Sequence, residues 1–158
     1  MSVRYGLEGQ VAVITGAANG FGLAVAERLA AEGARLVLVD RDEPALAAAA
    51  EKLGGLPVVA DVSVEGDVDG YVASAVEAHG RIDLFFNNAG IEGRMAPMTE
   101  LSVADFDRVW AVNARGVFMG LRAVLKVMKA QGCGVIVGDP ACRGTVQRVP
   151  RRAQEGDD

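Results

Sequence analysis

The sequence Thr15-Gly-Ala-Ala-Asn-Gly-Phe-Gly22 joins a short apolar run, Val11–Ile14, to a helical stretch, Phe21–Glu32. Its glycines leave the backbone free of side chains, so a pyrophosphate can approach it closely. The first turn of the following helix offers N–H groups without partners and the positive end of the helix dipole. An acid, Asp40, follows about 20 residues further on, where its carboxylate can accept hydrogen bonds from ribose hydroxyls. The stretch therefore predicts a dinucleotide-binding turn between a strand and a helix.

Short apolar runs alternate with longer helical stretches along the chain. The runs are nearly continuous, which is typical of strands that are buried on both faces. Such alternation predicts an α/β fold, a doubly wound parallel sheet of five strands in the order 3-2-1-4-5, with a dinucleotide between strands 1 and 4. The predicted strands are Val11–Ile14, Leu36–Val39, Leu56–Ala60, Leu84–Phe86 and Val135–Val137, and the predicted helices are Phe21–Glu32, Pro44–Leu53, Glu65–His79 and Ser102–Ala130.

The composition excludes several classes of protein. A chain of 158 residues, 51% of them apolar, can bury a single core. A net charge of −5 gives no basic surface for nucleic acid. No apolar run is long enough to span a bilayer and the first residues do not resemble a signal peptide, so we expect no membrane association and a cytoplasmic location. Cys133 and Cys142 are expected to be reduced and structural, and no metal site is predicted.

The pattern changes after Gly138. Residues 139–158 contain two prolines, four arginines and four acidic residues, with almost no apolar periodicity. We therefore expect a domain over residues 1–138 and an irregular or disordered tail over residues 139–158. Without a further strand, Val135–Val137 would be an exposed sheet edge prone to aggregation, and the fold would be marginally stable.

Two motifs identify a family. The spacing Gly-x-x-x-Gly-x-Gly after Thr15, together with Asn87-Asn-Ala-Gly90 after the fourth strand, resembles the short-chain dehydrogenase/reductase family over roughly residues 7–137. The resemblance implies a Rossmann-type fold that holds a dinucleotide, with Asp61 and Val62 against the adenine and residues 88–90 along the cofactor cleft. The cofactor-binding positions it implies are Thr15, Gly16, Asn19, Gly20, Phe21, Gly22, Asp40, Arg41, Asp61, Val62, Asn88, Ala89 and Gly90.

The charges near the predicted ribose favour NAD as the cofactor. Proteins that bind NADP need a cation close to the adenosine 2′-phosphate, whereas Asp40 would repel that phosphate. The glycine turn offers only the neutral Ala18 and Asn19 at this point. Arg41 follows Asp40 directly, but the acid occupies the ribose position. We therefore expect NAD rather than NADP.

Asn113 is the one catalytic residue of the family that the sequence matches. It lies within the predicted long helix, in Val109-Trp-Ala-Val-Asn-Ala-Arg-Gly-Val-Phe118. The resemblance implies that this asparagine helps to hold a water in a proton relay to the catalytic lysine. The alternative is a packing or bend residue whose side chain bonds to nearby backbone groups.

The other catalytic positions of the family have no match. By resemblance, catalysis on an alcohol or ketone also requires a serine after the fifth strand and a tyrosine followed four residues later by a lysine. The tyrosines are Tyr5 and Tyr71, and neither has a lysine four residues further on. Residues 137–145 contain no serine, and Ala141 or a neighbour stands where it is expected. We therefore expect this chain to lack activity, although it resembles an NAD-dependent oxidoreductase.

Two alternatives to an oxidoreductase stay open at this point. The chain could be a non-catalytic NAD-binding module, or a truncated or frame-shifted product of a longer gene that folds poorly. Sequencing the DNA downstream would separate them, because a serine and a Tyr-x-x-x-Lys in a shifted frame would identify an interrupted gene. Full-length members of the family form homo-oligomers, and the corresponding interface in this chain would be incomplete.

Overall fold

The strand that precedes the glycine turn lies in the middle of the sheet. A computed structural model describes residues 6–138 and 145–149, the latter as backbone. Within these residues the strands pair in the order β3-β2-β1-β4-β5-β6, and β1 to β5 are parallel. The five-stranded order 3-2-1-4-5 is therefore confirmed. The strands are β1 (Val11–Thr15), β2 (Arg35–Asp40), β3 (Leu56–Val59), β4 (Leu84–Asn87), β5 (Gly134–Gly138) and β6 (Thr145–Val149).

The helices connect these strands close to the predicted positions. Ser102 begins the fourth helix with a capping box: its hydroxyl accepts a hydrogen bond from the Asp105 N–H, and the Asp105 carboxylate accepts one from the Ser102 N–H. None of the described helices combines the length and apolar character needed to cross a bilayer. The helices are α1 (Gly20–Ala31), α2 (Glu43–Leu53), α3 (Glu65–His79), α4 (Val103–Trp110) and α5 (Val117–Gln131).

The long helix that the sequence predicts over Ser102–Ala130 is not uniform. Between α4 and α5 the chain continues as a π-helix, Ala111–Gly116, so a wider turn interrupts an otherwise α-helical rod. Gly116 allows this segment to approach the loop between β3 and α3, because a Cβ there would lie 2.9 Å from the Val62 carbonyl oxygen. Wide turns of this kind are rare and occur often at functional sites.

Each face of the sheet has its own core, because successive side chains of a strand point to opposite faces. On one face Val13 and Phe85 pack with Tyr71 of α3 and Met128 of α5. On the other face the strands pack against α1 and α2, and this core includes Ala12, Ile14, Leu36, Leu38, Ala26 and Leu46. The carboxyl ends of the strands are thereby held in fixed positions along one edge of the molecule.

The tail is not irregular throughout. The backbone of Thr145–Val149 forms β6, which pairs antiparallel with β5 from Gly138 opposite Thr145 to Gly134 opposite Val149. The prediction of an irregular segment is wrong for these residues, and so is the prediction that Val135–Val137 form an exposed edge. The free hydrogen-bonding groups of β5 and the β-branched residues of this short stretch favour the pairing. The rest of the tail, with Cys142 and Ala141, lies outside the described residues, as does Tyr5.

Candidate cofactor site

The carboxyl ends of the central strands open into a cavity of about 510 Å³. It lies where β1 and β4 are neighbours but their connections leave in opposite directions, which is where doubly wound sheets bind ligands. All but two of the predicted cofactor residues line it. These lining residues are Gly16, Asn19, Gly20, Phe21, Asp40, Arg41, Asp61, Val62, Asn88, Ala89 and Gly90.

The glycine turn is packed so tightly that side chains are excluded at two positions. Gly16 has a φ of +68°, and a Cβ on it would lie 2.9 Å from Nδ2 of Asn88. Gly22 does not line the cavity. A Cβ there would lie 1.9 Å from the Gly16 carbonyl oxygen, which no real structure tolerates. Gly22 therefore allows the first turn of α1 to rest directly on the turn that precedes it.

Thr15, the other predicted residue outside the cavity wall, connects β1 to β4. It is fully buried, and its hydroxyl oxygen accepts hydrogen bonds from the N–H groups of Asn88 and Ala89, each at 3.0 Å. The Asn88 side-chain amide donates in turn to the Thr15 carbonyl oxygen at 3.0 Å. These hydrogen bonds join the glycine turn to the Asn87–Gly90 motif. They therefore fix the two walls of the cavity relative to each other.

The N-terminus of α1 is free to receive an anion. Asn19 precedes the helix in an extended conformation, and its side chain makes no capping hydrogen bond. The first turn of α1 contains no acidic residue. The N–H groups of that turn and the positive end of the helix dipole are therefore available to a phosphate group. Phe21 stands beside them with 84% of its surface exposed.

Asp40 is held rigidly at the end of β2. One carboxylate oxygen accepts a hydrogen bond from the Ala18 N–H at 3.0 Å, and the other accepts one from the Asp42 N–H at 3.1 Å. The carboxylate is therefore fixed to the glycine turn on one side and to the beginning of α2 on the other. Each oxygen has a second lone pair that can accept a bond from a ligand hydroxyl.

A second carboxylate lies at the same end of the cavity. Oδ1 of Asp61 accepts hydrogen bonds from the Ser63 hydroxyl at 2.7 Å and from the Ser63 N–H at 2.8 Å. These bonds hold the pKa of Asp61 below its usual range, and the nearby Arg41 guanidinium lowers it slightly further. Asp61 is therefore ionised at neutral pH, and Arg41 lies close enough to interact with it electrostatically.

Asn113 anchors the loop at the opposite end of the cavity. It lies in the π-helical segment, where its side-chain oxygen accepts a hydrogen bond from the Ile91 N–H and its amide donates one to the Ile91 carbonyl oxygen, both at 2.9 Å. The contact joins residues 22 positions apart in sequence, so it is not the local bond of a bent helix. Nearby, the buried Asn87 amide donates to the Val117 carbonyl oxygen at 3.0 Å, where α5 begins.

Five residues of the cavity wall belong to neither sequence motif and are not among the predicted cofactor residues. Each adjoins a predicted position or its neighbour: four lie at or just after a strand end, and the fifth lies in the π-helical segment beside Asn113. Only this adjacency could have indicated them from sequence. They are Val39, Ala60, Ile91, Glu92 and Val112.

Tyr71 is placed where it cannot act on a ligand in this cavity. Only 1% of its surface is exposed, and its ring packs against Phe85 in the core beneath α5. Burial, helped by Asp69, raises the pKa of Tyr71. A phenol that exchanges protons near neutral pH needs its pKa lowered instead. Tyr71 therefore serves the core.

Sequence comparisons assign this arrangement to a family. A model of the short chain dehydrogenase family matches residues 10–146. Levodione reductase from Leifsonia aquatica is 47% identical over 142 residues, which are 85% of this chain and 53% of that protein. The 2-(R)-hydroxypropyl-CoM dehydrogenase of Xanthobacter autotrophicus is 44% identical over 81% of this chain and 54% of its own length. The chain thus spans about half the length of these curated relatives.

Solved structures share both the fold and much of the sequence. A short chain dehydrogenase/reductase from Burkholderia phymatum, in complex with NAD, superposes with a TM-score of 0.81 at 38% identity, over 85% of this chain and 50% of that one. An NAD+-bound xylitol dehydrogenase gives a TM-score of 0.79 at 40% identity, over 84% of this chain and 53% of the other. The glycine turn, the Asn87–Gly90 motif, the sheet order and these matches agree, and the chain belongs to the short chain dehydrogenase family.

Proposed function

We propose that this chain binds NAD or NADH in the cavity at the carboxyl ends of β1, β2 and β4. The observation that supports this most directly is the position of Asp40. Its carboxylate is fixed by the Ala18 and Asp42 N–H groups and lies in the wall of the same cavity as the glycine turn. An adenosine ribose beside it would donate both hydroxyls to the carboxylate, while a 2′-phosphate would meet its negative charge.

The other residues have matching roles along the cavity. The open N-terminus of α1 and Gly16 would receive the pyrophosphate, since an anion there interacts with bare N–H groups. Asp61 and Val62 would border the adenine, and the loop at Gly90 would border the nicotinamide. When bound, the nicotinamide ring accepts or supplies a hydride, and the protein supplies position and electrostatics.

We further propose that this chain alone does not turn over an alcohol or a ketone. Hydride transfer to a carbonyl requires a proton donor within hydrogen-bonding reach of the substrate oxygen. Of the two tyrosines, Tyr71 is buried in the core, and neither Tyr71 nor Tyr5 has a lysine four residues further on. Asn113 contacts Ile91 and holds a loop, which is a positioning role. The chain would then act as the dinucleotide-binding part of a short chain oxidoreductase.

Calorimetric titration of the purified chain with NAD, NADH and NADP tests the cofactor. We expect NAD and NADH to bind, and NADP to bind at least about tenfold more weakly, because charged hydrogen bonds of this kind contribute about 1.5–3 kcal/mol. Asp40→Asn keeps one acceptor for the Ala18 N–H and removes the negative charge. It should therefore reduce the difference in affinity between NAD and NADP. Asp69→Asn, at an exposed position of α3, removes the same charge and should leave the difference in affinity between NAD and NADP unchanged.

Two results would contradict these proposals separately. If none of the dinucleotides binds to chain that is folded by circular dichroism, the cofactor proposal fails. If the chain oxidises NADH in the presence of a panel of ketones, at a rate that Asp40→Asn reduces, the proposal that it lacks turnover fails.

A further inference from the structure

The π-helix contacts loops at both ends of the cofactor cavity. Its residue Val112 is buried and lines the cavity wall. Asn113 makes two hydrogen bonds to the backbone of Ile91, in the loop that follows β4. Arg115 donates a hydrogen bond from Nη2 to the Ser63 carbonyl oxygen at 3.2 Å, in the loop between β3 and α3. One short segment therefore contacts the loops at both ends of the cavity.

The spacing of the two polar side chains explains how one turn reaches both loops. Asn113 and Arg115 are two positions apart, and side chains at that spacing on a helix do not face each other. Their hydrogen bonds join residues that are 22 and 52 positions apart in sequence. The wide turn thus connects two loops that are distant from each other along the chain.

The loop between β3 and α3 is built around Ser63. We call residues 60–64 the adenine loop, because Asp61 and Val62 are proposed to border the adenine. The Ser63 hydroxyl and N–H both donate to the Asp61 carboxylate, so the position of that carboxylate depends on Ser63. Arg115 binds the carbonyl oxygen of the same serine. Beside it, the absence of a side chain at Gly116 allows the Val62 carbonyl group to lie against the π-helix.

We propose that Arg115 is a positioning residue for the adenosine half of the dinucleotide. Through Ser63 it holds the adenine loop against the π-helix, while Asn113 holds the loop at the other end of the cavity. This inference rests on the proposed binding of NAD or NADH. Arg115 is exposed and its partner is a neutral carbonyl group, so replacing it should change the stability of the fold little. Its effect should appear in the affinity for the adenosine half.

Calorimetric titration of the chain with ADP and with NADH tests this role. ADP carries the adenosine and two phosphates but lacks the nicotinamide and its ribose. Arg115→Met keeps a long side chain without the donors, and it should weaken both ligands about three- to tenfold, the ratio that corresponds to one ordinary hydrogen bond. Arg115→Lys restores a charged donor and should recover most of the affinity. Asn113→Ala should weaken NADH more than ADP.

A variant on the same helical rod controls for the loss of positive charge. Arg108 is exposed on α4, and Arg108→Met removes the same charge as Arg115→Met. Both ligands are anions, so a general electrostatic effect would weaken their binding to either variant. We expect Arg108→Met to bind ADP and NADH as the wild type does.

Hydrogen exchange followed by NMR tests the contact without a ligand. The Ser63 N–H, bonded to Asp61, should exchange about three- to tenfold faster in Arg115→Met. The Val68 N–H, bonded to the Val64 carbonyl oxygen within α3, should keep its rate. A general loss of stability would accelerate both.

The outcomes separate this inference from the proposed function. If the folded wild-type chain binds neither ADP nor NADH, both fail. If it binds both ligands, the inference alone is overturned when Arg115→Met binds ADP within twofold of the wild type, when Asn113→Ala weakens ADP as much as Arg115→Met does, or when the exchange of Ser63 is unchanged. Melting temperatures show that each variant is folded, and Arg115→Ala replaces Arg115→Met if it is not.

Discussion

The two halves of the sheet differ in how completely they are covered. On the half formed by β1 and β2, every apolar strand residue is buried, with helices on both faces, and the glycine turn emerges from it. On the half formed by β4 and β5, burial alternates residue by residue: among the described residues α3 and α5 bury one face, and α1 covers the other only in part. The cofactor cavity depends on strand ends from both halves. The wall of the cavity is therefore formed by strand ends from both halves, although the described residues cover the two halves unequally.

The largest expected difference is between adjacent phenylalanines of β4. Phe85→Ala should reduce the free energy of unfolding by about 3–5 kcal/mol, because it leaves a cavity in a closed core. Phe86→Ala should cost less than half as much, since its side chain is already partly in water. Urea unfolding followed by circular dichroism measures both. Equal losses would mean that the second face is covered after all.

Two leucines on the same face of the sheet, one in each half, allow the same comparison of the free energy of unfolding. Leu38 on β2 is fully buried beneath α1 and α2, and Leu84 on β4 is only partly buried on the same face. Leu38→Ala should cost about 2–5 kcal/mol and Leu84→Ala about 1–2 kcal/mol. Differential scanning calorimetry of the two variants checks this. A Leu84→Ala loss as large as that of Leu38→Ala would contradict the difference between the halves.

A smaller effect is expected at the two hydrogen bonds that join Asn113 of the π-helix to Ile91, in the loop after β4. Asn113→Ala leaves the N–H and C=O groups of Ile91 without a partner, at a cost of about 1–3 kcal/mol. Asn113→Asp keeps the acceptor and loses the donor, so it should fall between the wild type and Asn113→Ala. We expect NADH affinity to decrease in the same order, measured by fluorescence titration. Unchanged affinity in Asn113→Ala would show that the loop is held by other contacts.

The smallest effect concerns pH. The pKa of Asp61 is lower in the folded than in the unfolded state, so its contribution to stability is present above about pH 4 and is lost as the pH falls through its folded-state pKa. Ser63→Ala removes the main hydrogen bond and should raise the pKa of Asp61 towards its ordinary value, which NMR titration of the carboxyl group measures. Ser74→Ala, whose hydroxyl donates only to the Gly70 carbonyl oxygen, is the control. No change in Ser63→Ala would exclude the hydroxyl as the cause.

Much of this molecule was predictable because its strands and turns carry strong local signals. The strands are continuous apolar runs, and the glycine turn and Asn87–Gly90 place β1 beside β4. The strand β6 was missed because Thr145–Val149 lies among arginines and pairs only through an edge that β5 provides. The π-helix was missed because Asn113 and Gly116 fit an ordinary helix until the contacts with Ile91 and Val62 are known. Both depend on partners that are distant in sequence.

Contacts between residues that are distant in sequence also determine when the cavity forms during folding. The Thr15 hydroxyl and the Asn88 N–H are separated by 73 residues, and the Val11 N–H and the Asp83 carboxylate by 72. Closing a loop of that length costs entropy before any contact compensates for it, whereas β5 and β6 can meet after a few residues. During refolding, the β5–β6 hairpin would acquire protection from hydrogen exchange early. Affinity for a dinucleotide would emerge with the late pairing of β1 and β4, so ligand binding reports on the slowest closure of the chain.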